Sequence, residues 1–287
     1  MRSSKGFTLA EMAIAFVIIA ILLVGAIIPL RTQIDVRNTA DTQRTMDSVK
    51  DAVIGFALAN GRLPCPADGS VPDGTAGAGT EQVSGNFCTV QFGVVPWATL
   101  GVPETDAWGR RFTYRVAPIF ADAFAANTSS TATTTTPASP DNQVPTCSPT
   151  PVPTQPTSFA LCSLGDLVVL TRSDSTHKPT ALGSGLPAVI VSHGKNGYGA
   201  WQTNGTAIAA PAAGTDEAAN AGDGGTATNV NATLAYNQIP FYSRTPTPGA
   251  AGCSDTAAGS FCEFDDLVAM ISAPTLMARM VSAGKLP

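Results

Sequence analysis

The stretch from Lys5 to Leu30, KGFTLAEMAIAFVIIAILLVGAIIPL, constrains this chain most, because it sets one carboxylate, Glu11, at the front of an otherwise apolar run. No residue from Met12 to Leu30 is charged. At roughly 1.5 Å per residue a helix of that length reaches about 28 Å, close to the hydrocarbon thickness of a bilayer. The segment is therefore long enough to cross a membrane. An ionised side chain at that depth costs roughly 2.5–3.5 kcal/mol on insertion scales, so Glu11 needs a partner. A secretory signal peptide and a buried core helix are the competing readings. Signal peptides have a short apolar core without an acid and a small-residue cleavage site behind it. Here the acid comes first, and the apolar run leads without a break into a polar helical pattern.

Beyond Leu30 the periodicity changes. Met46, Val49, Val53 and Phe56 recur at spacings of three and four, the mark of one apolar helix face, while Arg44, Asp47, Lys50 and Asp51 fall largely elsewhere. The pattern predicts an end near Asn60-Gly61, where a left-handed cap is easiest, ahead of Pro64. Residues 7–60 thus read as one long helix, with Gly25 and Pro29 marking a kink or a melted turn. The outer half, 31–60, needs a sheet to cover its apolar face.

Four short β-branched or aromatic runs supply strands: RRFTYRV (110–116), DLVVLTR (166–172), PAVIVSH (187–193) and NQIPFYSR (237–244). A small antiparallel sheet on a helix is the simplest layer they allow, which makes the fold class α+β. Residues 121–158, rich in Thr, Ser and Pro, and residues 203–232 lack the apolar content for a core of their own and read as loops. The tail PTLMARMVSAGKLP holds a short helix.

Lys and Arg number 16 against 21 Asp and Glu, so no basic surface for nucleic acid is implied. The positive-inside count around the span is nearly tied, with Arg2 and Lys5 on one side and Arg31 and Arg37 on the other. Six cysteines, an even number, suit an oxidising compartment. Sequence proximity pairs Cys65 with Cys88, Cys147 with Cys162, and Cys253 with Cys262, which is one of fifteen connectivities. Free buried thiols are the alternative, and no C-x-x-C is present for a metal.

Gly6, Phe7, Thr8, Leu9 and Glu11, following the basic leader MRSSK, resemble the processing site of type IV prepilins and pseudopilins. The resemblance implies that a prepilin peptidase, which is also an N-methyltransferase, removes residues 1–6 by cutting between Gly6 and Phe7 and methylates Phe7. It implies that 7–30 is both a transmembrane segment, leader side in, and a fibre-core half-helix, and that 61–287 is a pilin-like head. Glu11 then meets the Phe7 amino group of a neighbouring subunit and sets the docking register. The expected partners are other pilin subunits and an inner-membrane assembly platform. The expected location is the inner membrane, single-pass, and then a periplasmic pseudopilus or an extracellular pilus.

Three further segments carry the same resemblance. DAWGRRFTYRV is similar to a D-x-W-G-x-x-F/Y-x-Y stretch of secretion pseudopilin heads, with Asp106, Trp108, Gly109, Phe112 and Tyr114 at its positions. IVSHGKNGYGAW (190–201) looks like a strand and loop of that family, and EFDDLVAMIS (263–272) looks like its closing strand. In major secretion pseudopilins this loop and the paired aspartates hold calcium. Carried over, Asp265 and Asp266 supply carboxylates, joined by Ser192, Asn196 and loop carbonyls. Asn196 stands where an aspartate is usual, and a long insertion separates loop from aspartates. The alternative, Asp265 and Asp266 as strand-start or turn residues, stays open. Filament assembly itself requires no cofactor.

Nothing nominates an enzyme. Only two histidines occur, His177 and His193, with no G-x-S-x-G or H-E-x-x-H. Ser192 and His193 are adjacent on an expected strand and point to opposite faces, and His193 reads as a surface or turn residue. The resemblance implies a structural subunit of a type IV pilus or type II secretion pseudopilus, or alternatively a minor pilin at the filament tip acting in adhesion, DNA uptake or assembly initiation.

Overall fold

The computed structural model of the 287-residue chain describes residues 6, 8–85, 87–122, 157–161, 163–172, 179–222, 238–256 and 260–286, with only the helical backbone described for 22–32. Most of the Thr/Pro-rich stretch 121–158, the Cys147–Cys162 pairing, Phe7 and His177 lie outside these residues. Helix α1 (Leu9–Asn60) is continuous through Gly25 and Pro29, so the expected melted turn is not seen. The chain divides into two compact units, Met1–Asp41 and Thr42–Pro287, with the boundary inside this helix.

In the first unit Leu9, Ile14, Phe16, Val17, Ile18, Ile19 and Ile21 are each more than half exposed. These positions lie all round the helix, which has no buried face of its own among the described residues. An all-round apolar helix is stable only when something else covers it. Among the described residues no helix is long and apolar enough to cross a membrane. The expected span, Met12–Leu30, falls only partly within them.

In the second unit α1 becomes one-sided. Thr42, Met46, Val49, Val53 and Ala57 are buried at the spacing the sequence predicts, with Ala57 rather than Phe56 completing the row. Phe56 instead lies half-buried under the Arg62 guanidinium, 5.3 Å from its ring centroid. The helix stops at Gly61, whose φ of 74° is open to glycine at little cost, and whose N–H closes on the Ala57 carbonyl.

The row packs on a four-stranded antiparallel sheet made of β3 (Phe92–Val94), β5 (Thr113–Val116), β8 (Ala188–Ser192) and β11 (Leu267–Ile271), in the order β11-β8-β5-β3. Phe112, Tyr114, Val116, Ala188 and Ile190 share the helix-side core with Met46, Val49 and Val53. The tail folds as α5 (Ala273–Ser282), capped by Ser272, and sends Leu276 and Met280 into the same core.

The other face of this sheet is covered too. Val189 and Val191 join Leu167, Val169, Leu186, Ile239 and Phe241 in a second core. Its outer layer is a separate sheet of β6 (Leu167–Thr171), β7 (Thr180–Leu186) and β10 (Ile239–Tyr242), with β10 parallel and β7 antiparallel to β6. This corrects the expectation of a single antiparallel sheet. Strand β8 is buried at every position because it is covered on both faces, and the unbroken apolar run AVIVS is the local trace of that burial.

The run 110–116 also divides. Arg110–Arg111 form β4, which pairs with β9 (Trp201–Gln202), while Thr113–Val116 remain in the main sheet. A second two-stranded pair joins β1 (Val83–Ser84) to β2 (Phe87–Cys88), and a single turn, α2 (Trp97–Leu100), follows β3. Another, α3 (Pro118–Ala121), follows β5. The break at Phe112 leaves the buried Arg111 guanidinium bonded to the carbonyls of Gly69, Val71 and Thr203 and to Glu104, over the Trp97 ring. One side chain thus fastens three loops. Disulfides join Cys65 to Cys88 and Cys253 to Cys262.

The second bridge closes a loop of sequence separation 9. Replacing Cys253 and Cys262 together by Ser is expected to cost about 2–3 kcal/mol, the chain-entropy value for a loop of that size. The check is the urea midpoint of the oxidised protein. An unchanged midpoint would mean that the bridge constrains nothing in the unfolded chain.

Candidate functional site

The first unit offers its chemistry at the start of α1. Thr8 is the N-cap: its backbone N–H and its hydroxyl donate to Glu11 Oε2 at 2.8 and 2.9 Å, and the Glu11 N–H returns to Thr8 Oγ1 at 3.3 Å. This is a reciprocal capping box, the S/T-x-x-E pattern written in TLAE. Within one chain, the partner that Glu11 requires is therefore its own helix terminus, where a carboxylate also meets the positive end of the helix dipole. Gly6 lies just ahead. A Cβ built on it meets nothing within 4 Å, and its φ is not left-handed. Among the described residues no packing contact requires glycine there.

In the second unit the sequence-predicted cation residues come partly together. Asp106 opens the turn before β4, accepting from the Trp108 and Arg110 N–H groups, and its other oxygen takes the Ser192 hydroxyl at 2.7 Å. The Ser192 hydroxyl is thus engaged by Asp106. Asn196 does reach the aspartates, but as a donor. Its backbone N–H goes to Asp265 Oδ2 at 2.9 Å, and its amide nitrogen goes to both carboxylate oxygens of Glu217 at 3.1 Å. Asp265 and Asp266 immediately precede β11.

Glu217 is the residue the sequence pattern does not foreground. It lies in helix α4 (Asp216–Ala221), inside the stretch 203–232 expected to be loop. The signal is nevertheless present, since GTDEAAN carries a Thr N-cap followed by two acids, the marks of a helix start. One carboxylate oxygen from each of Glu217, Asp265 and Asp266 lies within 4.8 Å of the others. Asp265 N–H donates to Glu217 Oε1, and Asn220 donates to Asp266 Oδ2. The second oxygens, Asp265 Oδ1 and Asp266 Oδ1, are buried without a hydrogen-bond partner.

Electrostatics match that crowding. Burial, joined by the Asp266 charge, pushes the Glu217 carboxyl up to about 8, and burial pushes Asp265 up as well. Gly194, in the loop after β8, comes so close that a Cβ on it would lie 2.5 Å from Asp265 Oδ1. Hard oxygen donors, two of them without a hydrogen bond and closely approached by a glycine loop, are of the kind that suits a calcium-type ion.

His193 corrects its sequence reading. It is fully buried, with Nε2 2.7 Å from Thr113 Oγ1 and Nδ1 3.6 Å from Asp266 Oδ1. Ser192 and His193 do point apart, one to Asp106 and the other to Thr113, so they form no nucleophile and base pair.

Neither a curated protein nor a solved structure matches the chain. Residues 1–27 match the family model of the prokaryotic N-terminal methylation motif. The match covers the leader, the Gly6-Phe7 junction, Glu11 and most of the apolar run. It implies processing by a prepilin peptidase and filament assembly in general, and it points to a structural subunit. Residues 1–27 thus carry a motif that supports a prepilin of the type IV pilin or pseudopilin type.

Proposed function

We propose that this chain is a structural subunit of a type IV pilus or a type II secretion pseudopilus. The observation that carries the reading is the pairing of a methylation motif with a half-helix whose apolar side chains are exposed all round. Lipid covers that surface while the subunit waits as a single-pass inner-membrane protein, and the same half-helices of other subunits cover it in the fibre. Cleavage between Gly6 and Phe7 converts the first form into one that can enter the second. The head stands in the periplasm or on the cell surface, where its disulfides persist.

The mass of the mature amino terminus tests this directly. A chain beginning at N-methylated Phe7 is the expected result; an intact Met1, or a cut beyond Ala26, would overturn the assignment.

Calcium belongs to the same reading as a ligand of the head. Asp265 and Asp266 would hold it, and its charge would neutralise their close approach to the loop at Gly194. Ser192, whose hydroxyl donates to Asp106, and Asn196, whose N–H donates to Asp265, would stand beside the aspartates as orienting neighbours.

A second reading, a minor pilin at the fibre tip acting in adhesion, DNA uptake or assembly initiation, draws on the added sheet and the anchored helix α4. These elaborate the head beyond one helix and one sheet, and a tip position occurs once and tolerates such bulk. Stoichiometry in purified filaments separates the two. Many copies per fibre favour the repeated subunit, and a few copies favour the tip.

A further inference from the structure

We propose that Glu217 is the third carboxylate of a calcium site with Asp265 and Asp266, so that a bound cation fastens helix α4 of the inserted segment to the start of strand β11. The inference deepens the calcium reading of the aspartate pair and rests on it.

The geometry begins with the mutual approach of the three carboxylates within 4.8 Å. Glu217 is 3% exposed and Asp266 4%, so water does little to screen them. The named hydrogen bonds into the cluster come from neutral groups: the Asn196 and Asn220 amides and the backbone N–H groups of Asn196 and Asp265. They leave Asp265 Oδ1 and Asp266 Oδ1 without a hydrogen bond, and the one imidazole at the cluster, His193, holds its Nδ1 3.6 Å from Asp266 Oδ1. The guanidiniums that flank α4, Arg172 and Arg244, are bonded to Asp216. Like charges this close and this dry require a proton or a cation between them. An all-oxygen set selects calcium over zinc, which prefers nitrogen and sulfur ligands.

Helix α4 is placed to transmit binding. Its two first-turn acids, consecutive in sequence, serve different partners: Asp216 pairs with Arg172 and Arg244, and Glu217 faces the aspartates. One turn on, Asn220 donates to Asp266 and exchanges two hydrogen bonds with the Tyr242 backbone in β10. A cation drawn into the cluster therefore pulls on a helix already held at its other flank.

The test uses the full chain in detergent, stripped with chelator and titrated with calcium chloride by calorimetry, with hydrogen exchange followed over residues 216–221. Wild type is expected to bind calcium and to exchange more slowly over α4 when loaded. Glu217→Gln, which keeps the shape and loses the charge, is expected to weaken binding at least tenfold, and Glu217→Asp, which withdraws the carboxylate by one methylene, to weaken it similarly. Asp265→Asn is expected to abolish binding. If Glu217→Gln binds as wild type does, Glu217 is no ligand and the aspartate pair alone stands. No slowing of α4 in wild type that binds calcium would also overturn the inference, without reliance on any variant. If wild type binds no calcium, or binds zinc more tightly, the calcium reading falls and this inference with it.

Discussion

A Glu11→Val subunit is expected to be cut after Gly6 and retained in the membrane, yet to be incorporated into filaments at least about tenfold less well, the factor produced by roughly 1.4 kcal/mol of lost docking free energy. The substitution removes two things at once. It deletes the carboxylate proposed to pair with the Phe7 amino group of a neighbouring subunit, and it opens the capping box by which Glu11 holds Thr8 at the head of α1. Loss of a cap costs about 1 kcal/mol. Glu11→Gln separates the two effects, because an amide oxygen can still accept from the Thr8 N–H but carries no charge. If the ion pair sets the register, Gln assembles nearly as poorly as Val. Wild-type filament yield from Gln with poor yield from Val would make the cap the operative role, and normal filaments from both would remove Glu11 from assembly. The readouts are the mature terminus by mass, the membrane fraction by sedimentation and the filament yield by shearing.

The second large effect is expected at Arg244. Its guanidinium, 2% exposed, donates to Asp216 Oδ2 at 2.8 Å and to Asp255 Oδ1 at 3.2 Å. It also donates to Thr247 and the Cys262 carbonyl, and lies against the rings of Phe261 and Phe264. Asp255 in turn accepts from the backbone N–H groups of Asp216 and Cys262. Burial pushes Asp216 up, and Arg172 works against that shift. Arg244→Met keeps much of the volume but takes the guanidinium from Asp255, which water cannot reach, and leaves Asp216 to Arg172. Breaking a buried pair in this way costs about 3–5 kcal/mol, measured as a fall in unfolding free energy in urea. Arg244→Lys is expected to recover little, since one ammonium cannot span both acids in the manner of a planar fork. A loss below about 1 kcal/mol, the surface-pair value, would mean that the network is solvated. Adding Asp255→Asn to Arg244→Met should return part of the loss, because it removes one stranded charge.

Helix α1 was legible in the sequence because its signals are local. Three- and four-residue spacing gives Met46, Val49 and Val53, and Gly61 ends the helix on its own φ. The turn at Asp106 is equally local, with both of its N–H bonds made within four residues. What stayed hidden depends on distant pairing. Four strand-like runs do not reveal that Leu167 lies parallel to Ile239, or that Val191 faces a second sheet. His193 is polar and looks exposed, and only Thr113, far off in sequence and 2.7 Å away in space, explains its burial. Glu217 was masked by an alanine-rich context typical of loops and short helices alike, and only its approach to Asp265 and Asp266 gives it a role.

The parallel pairing of β10 with β6 has a consequence for how the head forms. Parallel neighbours cannot be joined by a tight turn, and here β7, β8 and helix α4 all lie between them in sequence. Closing so long a loop loses entropy before any contact repays it. Until β10 arrives, the edge LVVLT of β6 remains open, short and β-branched, a template on which another chain's strand can settle. The later β10 docks, the longer a newly made chain stays at risk of pairing with the wrong neighbour.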